Sequence, residues 1–380
     1  MLNIILFFKN YYSYKQMYQK KLIIFMPSIE GGGVEKNLMI IANFLAKKID
    51  NLSLITVSKI YKSKFDNKIN FISTKKNWDR LGRKLKYLIA LYLLFKEITK
   101  NENKVVFAFQ ANIYCIILCK LFNTKIIVRS NSSPSGWSKN FIKNMIFKFI
   151  LSMANKIIVN SLIFQKELNK KFHVKSICIY NPLNISQIQK LSKKKINQIK
   201  TNKLKIINVG RFTDQKDHIT LLKAMDLLKD KIQIKLLILG KGVNKNKMLK
   251  YIITNKLKKI VTIKKFTNNP YPHIKNSELM VLSSLYEGLP NVLLESLALN
   301  VFTISSNCPT GPSEILDNGK GGLLFKVGNH KDLANKIKFF YLNRKKCKKM
   351  LNHSRSRLKR FDYSKNLEKY FKTVSSVMNN

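Results

Sequence analysis

The stretch Ser284-Leu285-Tyr286-Glu287-Gly288-Leu289-Pro290-Asn291-Val292-Leu293-Leu294-Glu295 follows, after one serine, the apolar run Leu279-Met280-Val281-Leu282. A short apolar run bounded by polar residues reads as a buried strand. Glu287 is therefore expected at the carboxyl edge of that strand. Pro290 suits the first turn of a helix, where its missing N–H costs nothing. Glu295 then falls one to two turns inside the helix. Two carboxylates and a helix N-terminus thus meet at the carboxyl end of a strand, which is where open α/β sheets bind ligands. Carboxylates accept hydrogen bonds from sugar hydroxyls, and free helix N–H groups attract phosphate. A nucleotide-sugar carries both features. The spacing alone also fits two solvated helix-end carboxylates, so the reading depends on the rest of the chain.

Outward from this stretch, short apolar runs alternate with amphipathic segments, the pattern of βα units and a parallel sheet. Strands are expected near 21–27, 52–57, 69–73, 104–109, 125–129, 156–160 and 175–180. Helices are expected near 34–48, 80–98, 112–122, 139–153 and 161–171. After Asn181-Pro182 comes a polar, Lys-rich stretch from Ser186 to Lys203 with little apolar periodicity. The alternation then restarts, with strands near 204–209, 234–239, 260–264, 279–282 and 301–305. Helices near 217–229, 244–257, 290–299 and 330–342 accompany them. The segment 344–378 reads as helix with a break near Phe361-Asp362. The fold class is α/β with two Rossmann-like domains, residues 1–190 (1–20 an extension) and 200–360, followed by a C-terminal helix over 361–380.

The 380 residues hold 71 Lys and Arg against 20 Asp and Glu, a formal charge of +51. Nearly all of the basic residues are lysines. Base readout and bidentate phosphate clamps favour Arg, and a Lys excess beside many Ile and Asn also fits an AT-rich coding bias. A nucleic-acid binder should show a basic face interleaved with exposed aromatics, or a known motif. The sequence offers neither, so no nucleic-acid partner is expected. Attraction to an anionic surface remains open.

The five cysteines, Cys115, Cys119, Cys178, Cys308 and Cys347, are dispersed and odd in number. That argues against a disulfide framework and for a reducing compartment. The histidines have no zinc-ligand spacing. The run Ile4 to Phe8 is broken by Lys9 and falls short of the roughly 18–20 residues a spanning helix needs. No signal peptide is read there. A cytoplasmic protein is expected, peripheral on the inner face of the membrane if it meets lipid at all.

Five further segments carry chemistry. Gly31-Gly32-Gly33 follows the first strand and opens a helix, so backbone can approach a ligand. A tight turn gives the same residues. Gly210-Arg211-Phe212-Thr213-Asp214-Gln215-Lys216 follows a strand, and two cations there can hold a pyrophosphate and neutralise a departing nucleotide. Lys216 alone could equally be solvated. Gly240 lies in a glycine turn after the next strand, and Phe266 lies in the loop after the strand near 260. Phe266 is either a base contact or core. Glu314, in Gly311-Pro312-Ser313-Glu314-Ile315, opens a helix whose dipole it complements.

Taken in order, these segments and the Glu-x7-Glu stretch resemble retaining GT-B glycosyltransferases, specifically glycosyltransferase family 4 (glycosyl transferases group 1). The resemblance implies two Rossmann-like domains facing a cleft, with the last helix crossing back to the N-terminal domain. It implies that Arg211 and Lys216 hold the donor diphosphate and that Glu295 binds the ribose. Glu287 would orient the donor sugar, assisted by backbone near Gly288 and Leu289. Gly32, Gly33, Gly240, Phe266, Asn291 and Glu314 would complete the donor pocket. It implies a nucleotide-sugar donor, a UDP-sugar by family frequency, and a glycan or lipid-linked acceptor of a bacterial envelope. No Asp-x-Asp motif appears, so no metal and no cofactor are expected. One departure stands out. Where many members carry a His, this chain has Arg129-Ser130-Asn131, so Arg129 or Asn131 is the candidate for orienting donor or acceptor, and the general base is unnamed. The basic amphipathic helix near 80–98, with Arg80, Arg83, Lys84 and Lys86, reads as an ordinary domain helix or as a contact to an anionic membrane. The competing readings are a non-catalytic GT-B partner subunit and a basic membrane- or nucleic-acid-binding protein.

Overall fold

A computed structural model describes residues 20–75, 78–79, 81–100, 103–131, 134, 137, 140–196 and 201–379. The expected extension lies outside these residues except for Lys20, and so does Arg80 of the basic helix. Two units form. The first takes the chain up to Pro182 together with Ser364–Asn380, and the second takes Leu183–Tyr363.

The first unit holds a seven-stranded sheet in the order β3-β2-β1-β4-β5-β6-β7. Its strands are β1 (Lys21–Phe25), β2 (Leu52–Ile55), β3 (Asn70–Ile72), β4 (Lys104–Ala108), β5 (Lys125–Arg129), β6 (Lys156–Val159) and β7 (Ser176–Cys178). Every neighbouring pair is parallel. Strands covered on both faces read as near-continuous apolar runs, as Leu22-Ile23-Ile24-Phe25 and Val105-Val106-Phe107-Ala108 do; all eight are buried. Lysines at strand starts keep their charge at the rim: Lys21 Nζ lies 2.8 Å from Glu97 Oε2. The closing helix Tyr363–Asn379 buries Leu367, Tyr370, Val374, Val377 and Met378. Its residues from Ser364 onward belong to the first unit.

The second unit holds a six-stranded sheet in the order β10-β9-β8-β11-β12-β13. Its strands are β8 (Leu204–Val209), β9 (Ile234–Gly240), β10 (Val261–Lys265), β11 (Leu279–Leu282), β12 (Phe302–Ser306) and β13 (Leu323–Phe325). All pairs are again parallel. In both sheets the strand order reverses beside the first strand of the unit, between β1 and β4 and between β8 and β11. Loops on either side of such a switch point diverge and leave a crevice at the strand ends.

Several elements depart from the sequence reading. Chain enters the second unit at Leu183, and the helix Ile185–Ser192 occupies what composition marked as a polar stretch. Asn184 caps that helix by accepting from the N–H of Gln187 at 3.0 Å. Two turns burying Ile188 are too short for periodicity to register. Strand β13 was not expected, because three residues after Gly321-Gly322 carry almost no pattern. Pro290 sits at the N-cap rather than in the first turn, with extended φ −71 and ψ 107. The short helix Tyr271–Lys275 also went unread, and the helix expected to open at Glu314 begins three residues earlier, at Gly311.

Candidate functional site

In the second unit the crevice between β8 and β11 gathers the expected residues. The chain leaves β8 through Gly210 and Arg211 and makes a short 3-10 turn, Asp214–Lys216. Asp217 then caps the helix His218–Leu228, accepting from the N–H of Thr220 at 3.2 Å. The chain leaves β11 through Ser283 and Ser284. The two loops are tied by backbone: Leu285 N–H donates to Gln215 O at 2.8 Å, and Ser283 Oγ donates to Lys216 O at 2.9 Å. This tie fixes where Lys216 begins. Its ammonium ends 2.5 Å from Glu287 Oε1, which also accepts from Ser284 Oγ at 2.6 Å.

Glu287 is buried. Its own N–H donates to Pro309 O at 2.8 Å, and Thr310 Oγ1 donates to Gly288 O at 3.2 Å. Thus the loop after β12 braces the loop after β11. The approach is close: a Cβ on Gly311 would run into Gly288 O and the Leu289 backbone. Only glycine fits there. The same holds for Gly240 at the end of β9, where a Cβ would run into Gly210 O and the Phe212 ring. Gly240 therefore packs the β8 and β9 loop starts together.

Glu295 lies in the helix Asn291–Ala298, buried, and its Oε1 accepts from Tyr271 Oη at 3.4 Å. Glu314 is buried in the helix Gly311–Ile315, whose carbonyls at Glu314 and Ile315 accept from Arg360 Nη2 at 2.6 and 3.4 Å. Phe266 is exposed, not core, and Lys241 Nζ lies 5.2 Å from its ring centroid. Leu289 is buried, whereas Asn291 and Arg211 are half-buried. Cys308 is buried, and burial followed by the Glu287 charge pushes its thiol up to about 12.

In the first unit, Gly31 takes φ +83, and Gly32 caps the helix Gly33–Leu45 in extended conformation. Glu35, in the first turn of this helix, is buried, and its Oε2 has no hydrogen-bond partner. It sits where a Cβ on Gly32 would fall. The sequence reading assigned nothing to Glu35; a carboxylate two residues after three glycines was the available signal. Ser284 and Tyr271 were missed in the same way, though Ser284 opens the stretch that decided the fold.

Arg129 is placed differently from its expectation. It is fully buried at the end of β5. Its Nε donates to Tyr370 Oη at 2.9 Å and its Nη2 to Asn181 Oδ1 at 2.7 Å. Its Nη1 donates to Asn131 Oδ1. The guanidinium thus holds the closing helix to the sheet. Asn131 in turn donates to Phe109 O at 2.8 Å. Among the described residues, no group of three or more His, Cys, Asp or Glu is placed to hold a metal ion.

Comparison with known proteins agrees with this fold. Residues 189–357 match the model of the family described as Glycosyl transferases group 1. The chain is 28% identical over 356 residues to a Campylobacter jejuni protein, covering 90% of this chain and 96% of that one. That protein is named N-acetylgalactosamine-N,N'-diacetylbacillosaminyl-diphospho-undecaprenol 4-alpha-N-acetylgalactosaminyltransferase. A second C. jejuni protein is 24% identical, covering 94% of this chain and 99% of its own; it is named as an alpha-1,4-N-acetyl-D-galactosaminyltransferase acting on a diNAcBac-PP-undecaprenol-linked glycan. Among solved structures, Anabaena HepE in complex with UDP superposes with a TM-score of 0.74. It is 17% identical, over 94% of this chain and all of that one.

Proposed function

We propose that this chain, a glycosyltransferase with the GT-B fold, moves a sugar with retention of configuration from a nucleotide-sugar to a lipid-linked or glycan acceptor of a bacterial envelope polysaccharide. The observation that carries the reading is the Lys216–Glu287–Ser284 cluster at the switch point of the second sheet. A lysine ammonium has three donors. One goes to Glu287, which leaves two for diphosphate oxygens. Lysine is otherwise a flexible point charge; here Glu287 aims it. Together with Arg211 it neutralises charge as the nucleotide departs, the term that usually dominates catalysis of this kind. The reading assigns this task to the two cations and needs no metal or cofactor.

Glu287 Oε1 accepts from both Lys216 and Ser284, so Oε2 serves a hydroxyl of the donor sugar. Backbone N–H groups near Gly288 and Leu289 face the same ligand. Glu295, steadied by Tyr271, accepts from the ribose hydroxyls. Phe266 serves as the base platform, and Gly240, Asn291 and Glu314 are the further donor-pocket residues in this reading. Within the first unit, Gly32, Gly33 and the orphan oxygen of Glu35 are the groups that could meet a ligand. The departing phosphate oxygen takes the proton of the attacking hydroxyl, which removes the need for a protein base. Relatives and the UDP complex support a UDP-sugar and a membrane-borne acceptor.

The test is thermal stability of the purified protein against UDP, GDP, ADP and their common sugar conjugates, without metal. A selective rise with uridine nucleotides, lost in Glu295→Ala, is expected. A cooperative melt that no nucleotide moves would overturn the donor site.

A further inference from the structure

The helix Phe141–Ser152 turns its apolar side outward. Phe141, Ile142, Met145, Ile146 and Phe149 are between 50% and 74% exposed, while Ile150 and Leu151 are the residues it buries. Positions 141, 145 and 149 are four apart and 142 and 146 lie beside them, so these side chains form one continuous face. A surface helix of a domain ordinarily shows solvent the opposite face. The neighbouring helix Asn112–Leu121 packs against it and continues the patch with Ile117 and Leu121, then Phe122. Phe122 in turn meets Phe95, of the helix Arg83–Lys100, with ring centroids 5.4 Å apart.

The charges on the two helices that carry most of this patch have one sign. The helices Phe141–Ser152 and Asn112–Leu121 carry Lys143, Lys148 and Lys120, and neither contains a carboxylate. That combination decides between occupants. A two-fold dimer through this face would bring the same residues of each copy together, setting lysine against lysine with no acid between them. Protein interface cores are depleted in lysine. A bilayer accepts both features: apolar side chains enter the acyl boundary, while lysines bury their stems and keep their ammonium groups at the phosphates.

We propose that this face is where the chain lies on an anionic lipid bilayer. Phe141, Met145 and Phe149 enter below the headgroups, and Lys143, Lys148 and Lys120 pair with lipid phosphates. The helix lies in the plane of the membrane, since no helix among the described residues is long and apolar enough to cross it. This places the contact mainly outside the helix that the sequence singled out. In Arg83–Lys100, Arg83 is paired with Glu30 at 3.0 Å, and buried Lys86 donates to Asp79 O at 2.9 Å. The proposal rests on the reading of a membrane-borne acceptor, and its test reads lipid binding apart from sugar transfer.

The experiment is co-sedimentation of the full chain with vesicles of phosphatidylcholine alone or mixed with phosphatidylglycerol. The wild type is expected to bind the anionic vesicles selectively and to release in high salt. The triple variant Phe141→Ser, Ile146→Ser, Phe149→Ser should bind them at least about tenfold more weakly. Lys143→Glu with Lys148→Glu should bind more weakly as well. Both variants replace exposed side chains, so the melting temperature and any nucleotide-induced shift should match the wild type. A triple variant that binds anionic vesicles as tightly as the wild type overturns the proposal. So does light scattering that shows a wild-type dimer which the triple variant breaks, since the face would then belong to a second copy. Absence of a nucleotide shift in the wild type would sink the donor reading and leave the lipid result standing.

Discussion

Two arginines stand at the carboxyl ends of parallel strands, one in each unit, and their surroundings differ. Arg129 closes β5 fully buried, with its donors on Tyr370, Asn181 and Asn131. Arg211 stands two residues beyond β8, half-buried, on the loop that carries Lys216. The edge of a sheet is thus a place where chemistry can be displayed, and burial decides whether it is. A guanidinium committed to three internal partners is a fastener. An ammonium held by one carboxylate at a switch point keeps donors for a ligand.

The largest test of this contrast is Lys216→Ala. If the second unit displays its cations, kcat should fall by about 10²–10³-fold in initial-rate assays, as when one transition-state donor is lost. An unchanged kcat would break the comparison at its functional end. Next comes Arg129→Met. It removes three donated bonds, to Tyr370, Asn181 and Asn131, from a buried site and should cost about 3 kcal/mol in urea unfolding. Transfer per folded molecule should remain near wild type. A variant of normal stability but no activity would return Arg129 to the ligand-binding role.

A third test uses His218, which lies beside the Phe212 ring with both ring nitrogens buried and unpartnered. Burial, then the Lys216 charge, pushes its pKa from 6.5 down to about 4. The folded state therefore holds it neutral while the unfolded chain takes up a proton. Its contribution is complete above pH 6.5 and is lost as the pH falls to about 4. His218→Leu should flatten the stability profile in that window by up to about 3 kcal/mol relative to wild type. Parallel profiles would show that His218 does not titrate this way. The smallest effect is expected of Tyr271→Phe. Loss of its bond to Glu295 should weaken nucleotide binding by about 1 kcal/mol, roughly fivefold, as read by titration calorimetry.

The strands other than β13 were legible because buried parallel strands are continuous apolar runs, and Gly210, Gly240 and Glu287 announce the loops that follow β8, β9 and β11. The donor-site candidates were legible as types, not as a constellation. Lys216 and Glu287 are 71 residues apart; only the adjacency of β8 and β11 brings them together. Arg129 was misread because its fastening partner Tyr370 is 241 residues away, and a sequence window shows an exposed-type residue at a strand end. The outward face of Phe141–Ser152 was hidden for a related reason. Periodicity marks an apolar stripe but does not say whether that stripe faces the core.

The return of the last helix to the first unit has a consequence for how the protein is made. A ribosome delivers residues 183–363, a contiguous stretch, before the segment that completes the first sheet's surroundings. Domains generally fold as units during synthesis, N-terminal first. Here the order is inverted: the second unit can finish while Arg129 still awaits Tyr370, and the first unit closes only after it.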